Sequence, residues 1–256
     1  MYHDDSGARP TEVVPAHPDD AVTIDSVIKV AMAEFSELGF QETKLETIAR
    51  SSGMSKRMIH YHFGDKKGLY HRALVEAISL LNPLPQDLEL DSSVPVEGVR
   101  KLVDAIYGRF LHHPEAVRML LLENLHQVLG VAEMAALFDE SSVSLHLDKL
   151  LMLGQDAGAF RPGISADDIF LLIYSITFYR IANRDIIVNL FGVDMASEEN
   201  TAGMHRFVVD TVLAFLTSNI PDSGHRSYLT PSHAGDEPQS ALGIYDANQP
   251  DLFGDN

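Results

Sequence analysis

The sequence predicts an all-α protein in which a small N-terminal helical unit is followed by a larger C-terminal helical body. Apolar residues recur at helical spacing, and no segment shows the alternation of a strand. The first apolar stripe contains Val27, Ile28, Ala31, Phe35 and Leu38. A proline-rich run over residues 82–95 interrupts the pattern and predicts a linker between the two parts.

Composition narrows the class of protein. The formal charge of -18 argues against a nucleic-acid-binding protein that is basic over its whole length and against a polybasic membrane-surface protein. The chain has no cysteine, which excludes disulfides, thiolate nucleophiles and cysteine-bound metals. Because the most apolar run, residues 169–179, is too short to cross a bilayer and no signal-peptide pattern is present, we expect a cytoplasmic protein with no membrane partner.

Both ends of the sequence are acidic and rich in Ser, Gly and Pro, with little apolar periodicity. Such segments cannot bury enough apolar surface to offset the entropy lost on ordering. The sequence therefore predicts disordered tails over residues 1–20 and 221–256. The N-terminal unit then spans residues 21–80, and the helical body spans residues 81–220.

The helices of the N-terminal unit can be placed in order. Thr43 and Glu46 have the spacing of an N-cap hydroxyl and an acid three residues later, so Thr43 is predicted to cap a short helix. Gly53 is predicted to end that helix because glycine accepts a left-handed turn, and Ser55 begins the next helix. The predicted ranges are 45–51 and 55–63 for the two short helices and 66–81 for the helix that follows. The predicted core of the short pair is Ile48, Met54 and Ile59.

The helices of the body have fewer capping and turn residues that indicate where they begin and end. A second stripe, Val99, Leu102, Val103, Ile106 and Phe110, predicts a helix after the linker. Ser165 and Asp168 form a looser capping box, which begins a long apolar helix predicted over residues 166–190. A last amphipathic helix is predicted over residues 204–216. The whole chain is expected to contain about nine helices.

Positive charge is concentrated in residues 44–72. This segment holds seven basic and two acidic residues, a net charge of +5, whereas the rest of the chain carries -23. Charges farther apart than the Debye length, about 8 Å at physiological salt, are largely screened from one another, so one local face could still meet phosphates. The alternative is a helical hairpin whose basic face is merely solvated.

The same segment carries a specific order of motifs. It contains Phe35-x-x-x-Gly39-Phe40, Thr43-Lys44-Leu45-Glu46-Thr47-Ile48-Ala49, Gly53-Met54-Ser55 and Ile59-His60-Tyr61-His62-Phe63-Gly64-Asp65-Lys66-Lys67-Gly68-Leu69. Over about residues 22–80 the chain resembles the DNA-binding domain of the tetracycline-repressor (TetR) family of bacterial regulators. In the body, Asn183-Arg184 and Phe191-Gly192-x-Asp194 resemble a motif in the dimerisation helices of some members.

The resemblance implies a role for each matching position. Lys56 and Arg57 would face the major groove, where Arg57 is the candidate for bidentate reading of a guanine and Lys56 could touch base or phosphate. Ser55 and Lys66 would contact phosphates, Lys44 a phosphate or base, and Tyr61 and His62 the backbone and sugar, while Thr43 would cap its helix near the backbone. The operator sequence does not transfer, because His60, Lys44 and Arg57 depart from the residues usual in the family. Asp19, Asp20 and Asp25 argue against an N-terminal arm that grips DNA.

The resemblance also implies a homodimeric repressor that a small-molecule effector releases from a double-stranded operator, with residues 166–190 and 204–216 as the dimer seam. No cofactor is implied, and the effector is not identified. Polar or aromatic residues set in apolar body helices are Tyr107, Arg118, Glu123, His126, Tyr174, Phe178 and Arg180. The candidates to line an effector pocket are Tyr107, Arg118, His126, Tyr174 and Phe178. The alternative for each is a core or dimer-seam residue, and Arg118 with Glu123 could be a structural pair.

Other functions have less support in the sequence. His60-x-His62 and His112-His113 lack the helical spacing of metal ligands, and no H-E-x-x-H occurs. The phosphate-loop and nucleophile-elbow motifs are also missing, which argues against an enzyme. The remaining alternative is a helical ligand-binding or scaffold protein whose basic hairpin contacts protein or RNA.

Overall fold

The computed structural model describes residues 23–84, 87, 94–130, 133, 142–221, 224 and 227–229. Within these residues there are ten α-helices and no strand, which confirms the all-α class. The helices are α1 (Ile24–Glu42), α2 (Leu45–Ser52), α3 (Lys56–Phe63), α4 (Lys66–Leu81), α5 (Pro95–His112), α6 (Pro114–His126), α7 (Ser142–Asp156), α8 (Ala166–Ala182), α9 (Arg184–Phe191) and α10 (Glu198–Thr217). None of the helices in the described ranges is long and apolar enough to cross a membrane.

Helices α2 and α3 form the predicted helix-turn-helix. Gly53 ends α2 with a φ of 76°, in the left-handed region that glycine adopts without steric cost. Ile48, Met54 and Ile59 are buried, which confirms the predicted core of the pair. The two short helices are thus held at a fixed angle by a tight turn and a small shared core.

The predicted N-cap of α2 is wrong. Lys44 occupies the N-cap position, and its side chain makes no capping hydrogen bond. Thr43 instead donates its hydroxyl hydrogen bond to the carbonyl oxygens of Gly39, at 2.7 Å, and Glu34, at 3.2 Å. Thr43 follows a kink in α1 at Gly39, where φ is 74°, and its amide also donates to the Gly39 carbonyl, so Thr43 closes the end of α1.

Helix α4 joins the helix-turn-helix to the body. Its Tyr70 ring makes edge-on contacts with Phe35 and Phe40 of α1, with centroid distances of 5.0 and 5.2 Å. Helix α6 of the body packs against both α1 and α4. As a result one hydrophobic core runs without interruption from Val27 in α1 to Leu216 in α10.

Helix α5 lies at the centre of the body, in contact with α7, α8 and α10. All five residues of its predicted apolar stripe are buried: Val99, Leu102, Val103, Ile106 and Phe110. Ser165 caps α8 through a complete capping box with Asp168, as predicted. The stripe of α1 is confirmed except at Leu38, which is half exposed.

Two predicted helices of the body have different bounds. The long helix predicted over 166–190 is divided into α8 and α9, because Asn183 leaves helical geometry and its side chain donates to the Tyr179 carbonyl. The last helix begins at Glu198 rather than Met204, since Ser197 is the residue that caps it. Periodicity alone missed both boundaries because they depend on single capping residues.

Part of the predicted C-terminal tail contacts the body. The Tyr228 amide and the Ser227 hydroxyl both donate to the Asp168 carboxylate, and the Tyr228 hydroxyl accepts from Arg161 at 3.0 Å. Although burial opposes it, these hydrogen bonds and those of Ser165 lower the pKa of Asp168. The predicted tail at 1–20, residues 230–256 and most of the predicted linker lie outside the described residues.

Candidate nucleic-acid interface

Helix α3 and its N-cap present several of the predicted contact residues to solvent. Ser55 is the N-cap, and its hydroxyl accepts a hydrogen bond from the Met58 amide at 3.2 Å. Arg57, Tyr61 and His62 are exposed, and Tyr61 reaches 79% exposure. The Tyr61 ring is therefore accessible to a partner molecule on this face of α3.

Lys56 and Arg57 are neighbours in sequence but differ in their contacts. The Lys56 ammonium donates to the Glu46 carboxylate on α2, and this hydrogen bond lowers the pKa of Glu46. Arg57 forms no ion pair with any described residue. Arg57 is therefore better placed to read a base, whereas Lys56 must first leave its own partner.

Two predicted contact residues, Thr43 and Lys44, lie just before α2, and they differ in their exposure to solvent. Lys44 is exposed, in accord with a contact to phosphate or base. Thr43 is only 1% exposed and its hydroxyl is used inside the molecule. Its predicted position near the DNA backbone is therefore corrected: its side chain is bonded to the end of α1 and is not available to a phosphate.

Lys66 begins α4 and is bound within the N-terminal unit. Its ammonium donates to the Gln41 carbonyl at 3.0 Å and lies 4.7 Å from the centre of the Phe40 ring. It thus ties α4 to the end of α1, and a phosphate would have to share its remaining donors.

The sequence did not indicate two further contacts near this surface. His60 Nδ1 lies 2.7 Å from the Gly64 carbonyl, where it closes the C-terminal end of α3. Lys67 donates to Glu133 at 2.8 Å, and this bond lowers the pKa of the glutamate. No local pattern could have revealed the Lys67–Glu133 pair, because its residues are distant in sequence.

Replacing Ser55 with alanine should lower the free energy of unfolding by about 1 kcal/mol, the usual cost of losing an N-cap hydroxyl. The Met58 amide would lose its acceptor, and α3 would fray where Arg57 is held. Chemical denaturation monitored by circular dichroism measures this loss. Ser55→Asp keeps a capping oxygen and should retain stability, so equal losses in both variants would contradict the capping role.

The five predicted pocket residues of the body do not share one site. Tyr174 and Phe178 stack at 5.4 Å, and Phe110 meets Tyr174 edge-on at 5.1 Å; burial raises the pKa of Tyr174 to about 12. Tyr107 is buried elsewhere and donates to the Thr201 carbonyl at 2.9 Å. Arg118 and His126 are exposed on α6, so they do not line an internal pocket.

Glu123 is a buried carboxylate at the contact between α4 and the body. It accepts hydrogen bonds from the Tyr70 hydroxyl and from the Leu129 amide, both at 2.9 Å. It therefore does not form the structural pair with Arg118 that the sequence left open. Burial, followed by the hydrogen bond to Glu123, raises the pKa of Tyr70.

Histidine and acidic side chains do not assemble into a metal site in the part of the chain that the structure describes. One surface cavity among the described residues, about 480 Å³, is an open groove along α5 that includes Arg109 and Lys101 beside Asp87 and Asp104. The second, about 220 Å³, lies between the end of α5 and the junction of α8 and α9.

Comparison with known proteins agrees with this arrangement. Residues 27–73 match the model of bacterial regulatory proteins of the tetR family, and residues 95–212 match a tetracyclin repressor-like C-terminal domain. The chain is 31% identical to the HTH-type transcriptional repressor NicS of Pseudomonas putida, over 76% of this chain and 92% of NicS. It is 23% identical to the repressor SCO4008 of Streptomyces coelicolor, over 64% of this chain and 80% of that protein.

The fold is similar to that of FadR from Bacillus subtilis, solved in complex with stearoyl-CoA. The TM-score is 0.55 with 14% identity, and the match covers 76% of this chain and all of FadR. An exposed recognition helix on an all-helical body defines a helix-turn-helix, DNA-binding transcriptional regulator. The chain belongs to the TetR family of these regulators.

Proposed function

We propose that this regulator is a cytoplasmic, homodimeric repressor that binds a near-palindromic operator and is released by a small-molecule effector. The observation that carries the proposal is the exposed, uncommitted Arg57 on α3, beside the capped helix start at Ser55. Backbone and hydroxyl donors at that helix start suit a phosphate, and the guanidinium suits the two acceptors of a guanine. Tyr61, His62 and Lys44 would hold the helix against the DNA backbone.

A dimer is proposed because one short recognition helix reads only a few base pairs. Two-fold pairing would place two recognition helices about 34–36 Å apart, one turn of DNA. Exposed Leu171 and Tyr179 lie eight residues apart along α8, and Phe207 is exposed on the neighbouring α10. Exposed apolar side chains on adjacent helices support α8 and α10 as the seam.

Effector release is proposed to act through α4. This helix carries Lys66 at the helix-turn-helix end and is bonded to the body through Tyr70 and Glu123. An effector that favours a tilted α4 would change the separation of the two recognition helices. A 100-fold preference for the released form corresponds to a coupling of about 2.7 kcal/mol, enough to empty a marginally occupied operator.

Selection of duplexes from a random pool, followed by affinity measurements at several salt concentrations, tests the proposal. A regulator should enrich one short near-palindrome and bind it with a steep salt dependence. If a folded dimer refolded from denaturant enriches no sequence, the DNA-reading proposal is wrong. Preference for RNA or a protein would favour the scaffold alternative.

Replacing Arg57 with alanine should weaken binding to the selected operator by about 1–3 kcal/mol and relax the preference at one base pair in each half-site. Fluorescence anisotropy with the operator and with single-base variants measures both effects. Arg118→Ala, which removes an exposed arginine from α6, is the matched control and should bind normally. Unchanged specificity in Arg57→Ala would remove Arg57 from the reading site.

A further inference from the structure

A buried arginine at the end of α8 lies 5.7 Å from the centre of the Tyr107 ring but has no acidic partner among the described residues. Arg180 is 4% exposed, and its Nη2 donates to the Thr201 hydroxyl at 2.6 Å and to the Met195 carbonyl. Its Nε is buried without a hydrogen-bond partner, and no described Asp or Glu forms an ion pair with it. A buried cation in such surroundings is costly unless an anion joins it.

A second arginine lines the same cavity. Arg184 is the first residue of α9. Its Nε lies 4.0 Å from a carboxylate oxygen of Asp194, and both side chains are more than half exposed. Burial lowers the pKa of Arg180; the nearby Tyr107 acts in the opposite direction, and the smaller effect of the Arg184 charge lowers it further. The cavity is thus lined by two arginines, one of which is almost completely buried.

The cavity has the size and the walls of a small-molecule site. Its volume is about 220 Å³, and its lining also contains the apolar residues Leu111, Pro114, Ile181 and Ala196. A cavity of about 150 Å³ can hold benzene, so this one has room for a ring or short chain with one charged group.

We propose that this cavity binds a small organic carboxylate with a compact aromatic or aliphatic group. The carboxylate would accept hydrogen bonds from Arg184 and from an Arg180 guanidinium that turns its buried Nε toward the cavity, which supplies the missing counter-ion. The apolar group would lie against Leu111, Pro114 and Ile181. The open groove on α5 is a poorer site, since Asp87 and Asp104 already stand beside its basic residues.

The position of the cavity connects it to the DNA-binding unit. Pro114, in its wall, is the first residue of α6, and the other end of α6 carries Glu123, which holds Tyr70 of α4. A ligand wedged at one end of α6 can therefore bias the contact at the other. The claim that the carboxylate is the effector rests on the proposed repressor function. The claim that the cavity binds a carboxylate does not depend on that function.

Isothermal titration of the full-length protein with benzoate, hexanoate and the neutral isostere benzamide, in Tris chloride buffer, tests the site. At least one of the carboxylates should bind at least 10-fold more tightly than benzamide. Arg184→Gln should weaken carboxylate binding at least 10-fold, and Ala196→Leu should abolish it by filling the cavity. The controls Arg118→Gln and Arg109→Gln should bind like the wild-type protein.

Arg180 is buried, so the Arg180→Gln variant is informative only if its melting curve shows a folded protein. If it does not fold, the Arg184→Gln and Ala196→Leu variants test the site instead. The proposal is overturned if neither carboxylate binds, if benzamide binds equally well, or if only Arg109→Gln loses binding. Carboxylate binding that leaves operator affinity unchanged would keep the site but remove its role as effector site. Failure to bind any operator would instead overturn the proposed function while the titration stands.

Discussion

Replacing Gly68 with alanine should strongly destabilise the protein and abolish operator binding. A Cβ at this position would lie 2.0 Å from the carbonyl oxygen of Phe63, the last residue of α3. The obstructing atom belongs to the backbone, so no side-chain rotation can relieve the contact, and α3 must move away from α4. Overpacking of this kind costs about 1–3 kcal/mol or more, and here the displaced element is the recognition helix.

The measurements are urea denaturation and operator affinity by anisotropy. Gly108→Ala on α5 is the matched control, because a Cβ there meets nothing within 4 Å. Alanine in a helix interior is about 1 kcal/mol more favourable than glycine, so the control should be stable or slightly stabilised. A Gly68→Ala protein with wild-type stability and affinity would show that α3 is not seated against α4 as described.

Replacing Tyr70 with phenylalanine should lower the free energy of unfolding by about 1–3 kcal/mol, because the buried Glu123 carboxylate loses a hydrogen-bond donor. Glu123→Gln should cost a comparable amount. A double-mutant cycle should give a coupling of about 0.5–3 kcal/mol, since the two side chains bond directly. Tyr228→Phe, at an exposed hydroxyl, is the control and should change stability by less than about 0.5 kcal/mol.

The pH dependence of stability gives an independent check on Tyr70. Its pKa is raised in the folded protein, so the proton is held more tightly than in the unfolded chain. The linked stability is present below the ordinary tyrosine pKa of 10.0 and is lost as the pH rises above it. Tyr70→Phe should therefore lose less stability than the wild-type protein at alkaline pH. Parallel losses, with no coupling in the cycle, would exclude the bond to Glu123.

The sequence predicted those parts of the fold that depend on neighbouring residues. The turn at Gly53, the cap at Ser55 and the capping box at Ser165 are set by residues within four positions of each other. The apolar stripe of α5 is equally local, and it was predicted completely. The candidate contacts Arg57 and Tyr61 came instead from the resemblance to the TetR family, matched position by position.

The sequence could not predict contacts between distant residues. Thr43 fits a capping pattern, but a kink at Gly39 offers its hydroxyl other acceptors. Lys56 has the type and position of a base-reading residue, yet Glu46 on another helix binds it. Arg118 and His126 are polar residues in an apolar helix, and only the packing of α6 shows that they face solvent.

The uninterrupted core has a consequence for cooperativity. Val27, Phe35 and Tyr70 of the DNA-binding unit share their contacts with body residues through α6, so neither part has a closed hydrophobic interior of its own. The two parts should melt in a single transition, because opening one exposes apolar surface of the other. The DNA-binding unit and the body therefore differ in function but do not unfold separately. A ligand that stabilises the body also stabilises the recognition helix α3 against unfolding.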